Sequence, residues 1–537
     1  MQAFTNITNP YPIKRNASYA RNGMVATSQP LASQAGLDIM KKGGNAIDAA
    51  IATAACLTVV EPTSNGIGGD AFALVWTKGE LHGLNGSGKS PASITIDAVK
   101  KAGHDSMPRY GWYPVTVPGA PSAWAELSRR FGKLPFREVL QPAIDYAENG
   151  FPVSPTLSKY WQRAFRIFNE QLQGEEFANW FATFAPKGRA PLPGEIWASQ
   201  YHARALRLIA ETNAASFYTG DIAENIVSFS KKYGGFITKE DLAAHKPEWV
   251  DPISVQYKGY DVWELPPNGQ GIIALQALNI LKGYDWTEKE MTDTYHTQIE
   301  AIKLAFADGL AYVTDPEKMT HTVDELLNES YAKERSNLIG DHAKEHTPGE
   351  LAKGGTIYLC TADGDGNMVS FIQSNYMGFG SGLVVPGLGI TLQNRGHDFS
   401  LDPSHANALE GGKKTFHTII PGFLTKGKEA VGPFGVMGGL MQPQGHVQVI
   451  MNTIDFTLNP QAALDAPRWK WTTGNQVEVE HRFHHHIAEE LAQKGHDVKY
   501  VVEPNNFGRG QIIWRDPKSG VLIGGSDSRT DGSVAMW

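Results

Sequence analysis

The pattern of apolar and polar positions changes character near residue 350. Before it, apolar residues recur with helical spacing, most clearly at 46–60. After it, alternation with a period of two predicts strands. The predicted helices are 32–40, 46–60, 122–131, 138–149, 271–281, 294–313, 444–451, 462–466 and 487–494, and the predicted strands are 72–76, 356–362, 368–373, 431–439 and 511–514. Helices and strands without regular βαβ alternation indicate an α+β fold.

The segment 341–355 separates the two parts of this pattern. It is polar, contains Pro348 and ends in Gly354-Gly355, which predicts an exposed loop. This loop leads directly into the predicted strand that starts at Thr356.

Composition narrows the class of protein. The 537 residues include 48 Lys and Arg against 56 Asp and Glu, a net charge of −8, which is unlike the basic surplus of nucleic-acid-binding proteins. The 41% hydrophobic and 19% charged residues are typical of a globular chain. Residues 1–23 are too polar for a secretory signal, and 46–60 is too short for a membrane span. We expect a soluble, cytoplasmic protein.

Residues 83–90 match the phosphate-binding pattern G-x-x-x-x-G-K-S, with Lys89 and Ser90 as its last two residues. This motif needs a strand before it and a helix after it. A turn separates it from the strand at 72–76, and Pro91 and the residues after it are poor helix formers. A P-loop nucleotide-binding protein is therefore kept as a remote alternative.

Histidines and cysteines are the residue types most often used for metal or nucleophilic chemistry, and the chain has two such groups to weigh. The cluster His481, His484, His485 and His486 lacks a carboxylate–histidine spacing typical of zinc enzymes, so an exposed helix start is favoured. Cys56 and Cys360 lie within apolar segments, which favours packing over reactivity. We expect neither a metal nor a cofactor.

Thr356 has the local setting of an N-terminal nucleophile. If the bond between Gly355 and Thr356 is cleaved, the new α-amine, with an ordinary pKa of about 7.7–8.0, can act as a base for the threonine hydroxyl. Gly354 and Gly355 allow the strained backbone that an N→O acyl shift needs. A purely structural strand start is the alternative interpretation.

Gly438 and Gly439 end the predicted strand 431–439 and precede a predicted helix. Successive glycines at the end of a strand can direct backbone N–H groups toward one point, where they stabilise a tetrahedral oxyanion. A plain turn between strand and helix is the alternative.

These residues and a series of ordered motifs resemble the gamma-glutamyltranspeptidase family of N-terminal-nucleophile hydrolases. The likeness covers nearly the whole chain. The motifs that carry it are 28–33, 43–50, 66–70, 117–119, 140–143, 150–153, 217–220, 266–271, 303–308, 365–367, 379–382, 438–439 and 526–532.

The resemblance implies a four-layer αββα sandwich and a proenzyme that cuts itself between Gly355 and Thr356. The products are a large piece, 1–355, and a small piece, 356–537, which share one core. It also implies that Ser374 steadies the nucleophile and that Asp398 binds the α-amino group of the substrate. The implied catalytic residues are Thr356, Ser374, Gly438 and Gly439, and the implied substrate-binding residues are Tyr376, Asn394, Arg395, Asp398, His417 and Thr418.

Departures from the family pattern concern the substrate. The segment 81–95 lacks the arginine with which well-known members bind the γ-glutamyl α-carboxylate. Tyr376 and Arg395 replace a family asparagine and glutamine, and His417-Thr418 replaces a serine pair. The lid loop at 399–414 is also short. The pattern is similar to a divergent branch that includes oxamate amidohydrolase and cephalosporin-acylase-like members. Arg395 can supply a bidentate carboxylate clamp, with a structural salt bridge as the alternative.

The leading hypothesis is a self-processing amidohydrolase that acts through an acyl-Thr356 ester, with hydrolysis favoured over transfer. Glutathione-type γ-glutamyl donors are the default substrate, and small carboxylate-bearing amides such as oxamate come second. A processing-dead binding protein on the same fold is a further alternative. The expected partners are a small-molecule amide and the chain's own second fragment, with neither nucleic acid nor membrane. Self-association of that heterodimer is left open.

Overall fold

The computed structural model describes residues 10–12, 15–346 and 356–537, except for the side chains of residues 504 and 505. Its strands are β1 (Ser18–Ala20), β2 (Gly23–Thr27), β3 (Asp70–Thr77), β4 (Glu80–Asn85), β5 (Phe151–Pro152), β6 (Ile196–Trp197), β7 (Glu248–Val250), β8 (Ile253–Tyr257), β9 (Tyr260–Glu264), β10 (Ile357–Asp363), β11 (Met368–Ser374), β12 (Gly422–Lys426), β13 (Glu429–Met437), β14 (Trp469–Thr473), β15 (Gln476–Glu480), β16 (Asp497–Val501), β17 (Arg509–Arg515), β18 (Leu522–Ser526) and β19 (Ser533–Met536). Its helices are α1 (Pro30–Lys41), α2 (Ala46–Val60), α3 (Ile96–Lys101), α4 (Ala120–Phe131), α5 (Phe136–Asn149), α6 (Pro155–Gln171), α7 (Ala178–Phe184), α8 (Gln200–Thr212), α9 (Ala215–Thr219), α10 (Asp221–Lys232), α11 (Lys239–Ala244), α12 (Gly271–Leu281), α13 (Thr292–Tyr312), α14 (Val323–Leu326), α15 (Glu329–Ser336), α16 (Met441–Ile454), α17 (Pro460–Asp465) and α18 (His485–Gln493). The predicted mixture of helices and strands is confirmed.

Helix α2 shows how local sequence sets an element. The side chain of Asn45 accepts hydrogen bonds from the amides of Ile47 and Asp48, and Asp48 accepts one from the Asn45 amide in return. This capping box satisfies N–H groups that have no partner inside the helix. Every residue of α2 is buried, so its apolar sequence packs on all sides. The predicted helix 46–60 is confirmed at both ends.

Two large sheets form the centre of the molecule. One has the strand order β19-β2-β10-β11-β3-β4-β7, and the other has the order β1-β18-β17-β13-β12-β9-β8. All registered pairs within both sheets are antiparallel. In the first sheet, β10 and β11 lie between β2 and β3, so strands from both sides of residue 355 alternate. Their side chains therefore contribute to the same hydrophobic core.

The buried apolar residues form layers on and between these sheets. A cluster that includes Phe72, Tyr358, Phe423 and Ile513 draws on strands of both sheets. A second cluster packs α1, α2, α4, α5 and α8 against the first sheet. A third packs α12, α13, α16 and α18 with strands of the second sheet. The ends of β10, β11 and β13, where the predicted nucleophile and glycines lie, are held by this core.

The structure does not support the P-loop alternative. Residues 80–85 form β4, but no helix follows until the six-residue α3 at Ile96. The side chain of Lys89 is exposed, and the Ser90 hydroxyl donates to the Glu410 carbonyl oxygen at 2.6 Å. A phosphate-binding loop needs backbone N–H groups gathered at a helix N-terminus, which this segment does not provide.

The histidines at 481–486, the two cysteines and the segment before Thr356 have the following settings in the structure. His481, His484, His485 and His486 are exposed around the start of α18, as predicted, and Cys56 and Cys360 are buried thiols. Among the described residues, none of the helices combines the length and apolarity needed to cross a bilayer. Of the predicted loop 341–355, only residues 341–346 are described, and four of these six are exposed.

Candidate active site

Thr356 lies immediately before β10, one residue ahead of the observed start of the predicted strand 356–362, and is fully buried beside the end of β11. Its Oγ1 is 3.1 Å from Oγ of Ser374. The antiparallel pairing of Ile357 with Gln373 sets this approach. The amide N–H of Tyr376 donates to Oγ of Ser374 at 2.8 Å, which fixes the serine oxygen next to the threonine. Gly355, the other half of the predicted cleavage site, lies outside the described residues.

Gly438 and Gly439 form the turn between β13 and α16. Their φ angles are +143° and +61°, a region that residues with a Cβ rarely adopt. Strand β13 crosses β10 closely, since a Cβ on Gly435 would lie 2.5 Å from the Tyr358 ring. The end of β13 thus lies over the start of β10. The predicted strand 431–439 ends two residues earlier than expected, at Met437.

Gln270 connects this turn to the segment that carries His417 and Thr418. Its side-chain nitrogen donates to the carbonyl oxygens of Thr418 at 2.6 Å and Gly439 at 2.9 Å. Sequence reasoning included Gln270 in a motif but gave it no role. A buried amide next to glycines at a helix start was the signal that could have identified it.

Arg395 is buried and only partly paired. Its Nη1 donates to Oγ1 of Thr418 at 2.7 Å and lies 3.5 Å from Oδ2 of Asp398. The guanidinium carbon lies 4.1 Å from the centre of the Tyr376 ring. Nε and Nη2 are buried and have no hydrogen-bond partner in the described part of the chain. Nε and Nη2 lie on one edge of the guanidinium. In general, such an edge can bind a carboxylate through two parallel hydrogen bonds.

Tyr376 and Asp398 are joined by a short hydrogen bond. The phenol O–H of Tyr376 donates to Oδ1 of Asp398 at 2.5 Å. Tyr376 has a φ of +73°, an unusual backbone state for a bulky residue that points to a functional constraint. Burial raises the pKa of Asp398, with Arg395 and Tyr376 acting in the opposite direction. Both oxygens of Asp398 thus face donors of the protein itself.

Asn394 holds the loop that precedes these residues. Its Oδ1 accepts from the amide of Met377 at 3.1 Å, and its Nδ2 donates to the carbonyl of Arg109 at 2.9 Å. Asn394 therefore lies beside the predicted substrate-binding residues with both ends of its amide engaged by backbone.

His417 contacts Asp70, a residue that sequence reasoning did not select. Nε2 of His417 lies 3.0 Å from Oδ2 of Asp70, and both side chains are fully buried. Burial raises the pKa of Asp70 to about 7, against the lowering effect of Arg395, and burial lowers the pKa of His417 well below 6.5. Nδ1 of His417 accepts from the amide of Ile419 at 3.3 Å, so in the neutral ring Nε2 carries the hydrogen and donates to Asp70. A charged residue at the start of a buried strand, Asp70 in β3, was the available signal.

These contacts bring the predicted residues into one site. The hydroxyl of Thr356 contacts that of Ser374. The ring of Tyr376, two residues after Ser374, packs against the guanidinium of Arg395. Arg395 in turn donates a hydrogen bond to Thr418. The side chain of Gln270 donates hydrogen bonds to the carbonyl oxygens of both Thr418 and Gly439. Asp70 adjoins the same place, because it pairs in register with Ser374. The site combines a buried hydroxyl, a turn of two glycines and an arginine with unused donors.

Comparisons with known proteins identify the family. A family model described as Gamma-glutamyltranspeptidase matches residues 32–537. The protein is therefore an enzyme of the gamma-glutamyltranspeptidase family, as the resemblance predicted.

Individual relatives point to a particular part of the family. The chain is 40% identical over 525 residues to the glutathione hydrolase-like YwrD proenzyme of Bacillus subtilis. This alignment covers 95% of this chain and 98% of the relative. It is 34% identical to the oxamate amidohydrolase proenzyme of Klebsiella pneumoniae, over 97% of this chain and 100% of the relative. A crystal structure of cephalosporin acylase from Bacillus halodurans is similar with a TM-score of 0.96 and 63% identity, over 99% of each chain.

Proposed function

We propose that this protein is a self-processing amidohydrolase whose nucleophile is Thr356. The observation that carries the proposal is the buried contact of Thr356 Oγ1 with Ser374 Oγ at the start of a strand. The proenzyme names of the relatives from B. subtilis and K. pneumoniae support self-cleavage. The two facing sheets with helices packed on them support the four-layer αββα arrangement typical of the family.

Processing would begin with attack of Thr356 Oγ1 on the carbonyl carbon of Gly355. The C–N bond breaks, a C–O ester forms, and the proton of the hydroxyl passes to the new α-amine. Water then hydrolyses the ester, which leaves the carboxylate of Gly355 and the free amine of Thr356. Pieces 1–355 and 356–537 would stay together, since β10 and β11 lie between strands of the first piece.

Turnover would use the same atoms. The α-amine of Thr356 takes the hydroxyl proton while Oγ1 attacks the amide carbon of the substrate. The N–H groups of the Gly438–Gly439 turn would stabilise the oxyanion. The intermediate expels the amine, which takes the proton, and an acyl ester remains on Thr356. Water, deprotonated by the α-amine, attacks this ester, and the acid product leaves.

The acyl group of the substrate would carry a carboxylate. Nε and Nη2 of Arg395 are buried donors without partners, and a carboxylate satisfies both at once. Leaving such donors desolvated and unpaired costs about 1–3 kcal/mol or more each, so a matching ligand gains that energy.

The same geometry disfavours an α-amino group on the substrate. A γ-glutamyl donor presents an ammonium that needs a carboxylate acceptor, but Asp398 already accepts from Tyr376 and faces Arg395. Amides of short dicarboxylic acids, such as oxamate or a glutaryl amide, have no such group. These amides therefore fit the site better than the glutathione-type γ-glutamyl donors, which are the default substrate on sequence grounds. The name of the relative from K. pneumoniae, oxamate amidohydrolase, is consistent with this choice.

Two measurements test the proposal separately. Mass spectrometry of purified protein should show two pieces, the smaller beginning at Thr356, whereas Thr356→Ala should stay in one piece. Active but uncut protein would contradict the mechanism, and inert uncut wild-type protein would favour a binding protein on the same fold. A panel of glutaryl anilide, γ-glutamyl anilide, glutathione and oxamate tests the substrate class. Faster hydrolysis of γ-glutamyl anilide than of glutaryl anilide would contradict the assignment of Arg395 and Asp398.

A further inference from the structure

A second group of chemically capable side chains lies on α13 and on the loop before β16, apart from the Thr356 site. Among the described residues, His296, Glu300 and His496 each offer one ligand atom, and these atoms lie within 4.8 Å of one another. All three residues are buried. We call them the His–Glu–His cluster. It is distinct from the exposed histidines at 481–486.

Local structure sets the arrangement of the cluster. His296 and Glu300 are four residues apart on α13, so their side chains share one face of the helix. His496 follows α18 after Gly495, whose φ of +96° lets the chain turn toward α13. Two ligands at i and i+4 on a helix, completed by a third from another element, is a common way to build a metal site.

Hydrogen bonds define the lone pairs within the cluster. The carbonyl oxygen of Gly340 can only accept, so Nε2 of His296 donates to it at 2.8 Å. Nδ1 of His296 therefore carries a lone pair in the neutral ring and accepts from Nε2 of His496 at 2.9 Å. A metal would take the place of this proton, with His496 in the tautomer that carries its hydrogen on Nδ1, an atom without a partner among the described residues. A ligating histidine typically donates its other N–H to a backbone carbonyl in this way.

Glu300 has one oxygen directed away from the nearby lysine. Lys303 Nζ donates to Oε1 at 2.6 Å, and its other contacts are the Lys344 carbonyl oxygen and Oδ1 of Asn475. Oε2 receives the Lys344 amide at 3.3 Å and lies 3.4 Å from Nε2 of His346. The long contacts at Oε2 leave it available to a cation.

From this geometry we propose that the His–Glu–His cluster binds a divalent transition metal, with Zn²⁺ the best match. Two imidazole nitrogens and one carboxylate are a ligand set that zinc accepts. Nitrogens that ligate one tetrahedral Zn²⁺ at about 2.0–2.1 Å lie about 3.3 Å apart, so the rings need to separate by only a few tenths of an ångström. His346 is close enough to supply a fourth ligand after a small rotation.

The metal would have a structural role. His296 and Glu300 precede residue 355 and His496 follows it, so the ion would join the two pieces produced by the proposed cleavage. It would also hold residues 340–346, which contact the cluster through Gly340, Lys344 and His346. Binding of the metal, which is contrary to the expectation from the sequence, does not depend on cleavage of the chain. Only the joining role rests on the proposed function.

Metal titration of untagged wild-type protein tests the proposal. After dialysis against EDTA, we expect one equivalent of Zn²⁺ per chain to bind at micromolar concentration or below. Co²⁺ should give visible absorption bands of four-coordinate geometry. His496→Gln and Glu300→Gln should weaken binding at least tenfold, and Zn²⁺ should raise the melting temperature of wild-type protein but not of His496→Gln.

His485→Gln is the matched control, since it changes an exposed histidine of the 481–486 group and should not alter binding. Loss of binding in this control, unchanged affinity in His496→Gln, or no stoichiometric binding would each overturn the proposal. Anomalous scattering at the zinc edge from crystals of wild-type protein gives a test that needs no variant. An intact His296–His496 hydrogen bond without an ion at saturating Zn²⁺ would also overturn it.

Discussion

The hydroxyl of Ser374 lies 3.1 Å from the hydroxyl of Thr356 and is itself held by the amide of Tyr376. In the proposed mechanism, this contact would position the attacking oxygen of Thr356 while its proton leaves. We predict that Ser374→Ala slows both self-cleavage and substrate hydrolysis by about 10- to 100-fold, the effect of losing one oriented hydrogen bond at a reacting group. The rate of appearance of the small piece and kcat on the best amide measure it.

The same strand offers a control for this change. Ser370 is also buried on β11, and its hydroxyl bonds the phenol of Tyr358 at 2.7 Å instead of Thr356. Ser370→Ala should alter stability more than rate. Equal slowing by both variants would mean that Ser374 acts only through packing.

Tyr376→Phe should change the choice of substrate. Removing the phenol O–H leaves Oδ1 of Asp398 without its donor, so this oxygen can accept an α-ammonium group. We expect the ratio of kcat/KM for γ-glutamyl anilide over glutaryl anilide to rise about tenfold, roughly the value of one charge-assisted hydrogen bond. Tyr257→Phe, which removes a similar bond to Asp455 elsewhere, should leave the ratio unchanged. An unchanged ratio in Tyr376→Phe would argue against Asp398 as the determinant.

Arg395→Lys tests the carboxylate clamp. A lysine keeps the positive charge but cannot present two parallel N–H groups, so bidentate recognition is lost. We expect kcat/KM on a glutaryl amide to fall about 100-fold, with a much smaller loss on a butyryl amide that lacks the carboxylate. Similar losses on both amides would show that Arg395 supports the site without contacting the substrate carboxylate.

The sequence was a good guide to elements that local patterns determine. The predicted helix 46–60 has the same bounds as α2, because a capping box defines its start and Glu61-Pro62 its end. Thr356 lies immediately before a buried strand, one residue ahead of the start that the alternation after the polar loop predicted. Gly438 and Gly439 likewise mark the turn between β13 and α16, and both have positive φ angles in the structure.

Contacts between distant residues could not be predicted in this way. Asp70 and His417 are separated by 347 positions, and only the packing of β3 beneath the 417–418 segment joins them. The unused donors of Arg395 likewise depend on which partners the fold brings to it. The P-loop match is different, because Pro91 and the residues after it already disfavour the helix that such a loop needs, and the next helix begins only at Ile96.

The buried imidazole of His202 makes stability depend on pH. It lies in α8 against Phe184 and Trp197, and its Nδ1 is 2.8 Å from Oγ of Ser199. Burial lowers its pKa from 6.5 to about 4. Between these values the unfolded chain binds more protons than the folded one, so this residue costs stability as pH falls below 6.5, by up to about 1.4 kcal/mol per pH unit. His202→Gln should therefore show a smaller drop in melting temperature from pH 7.5 to pH 4.5 than wild type, measured by circular dichroism. The exposed His485→Gln should keep the wild-type dependence, and an equally steep drop in His202→Gln would mean that other groups control acid stability.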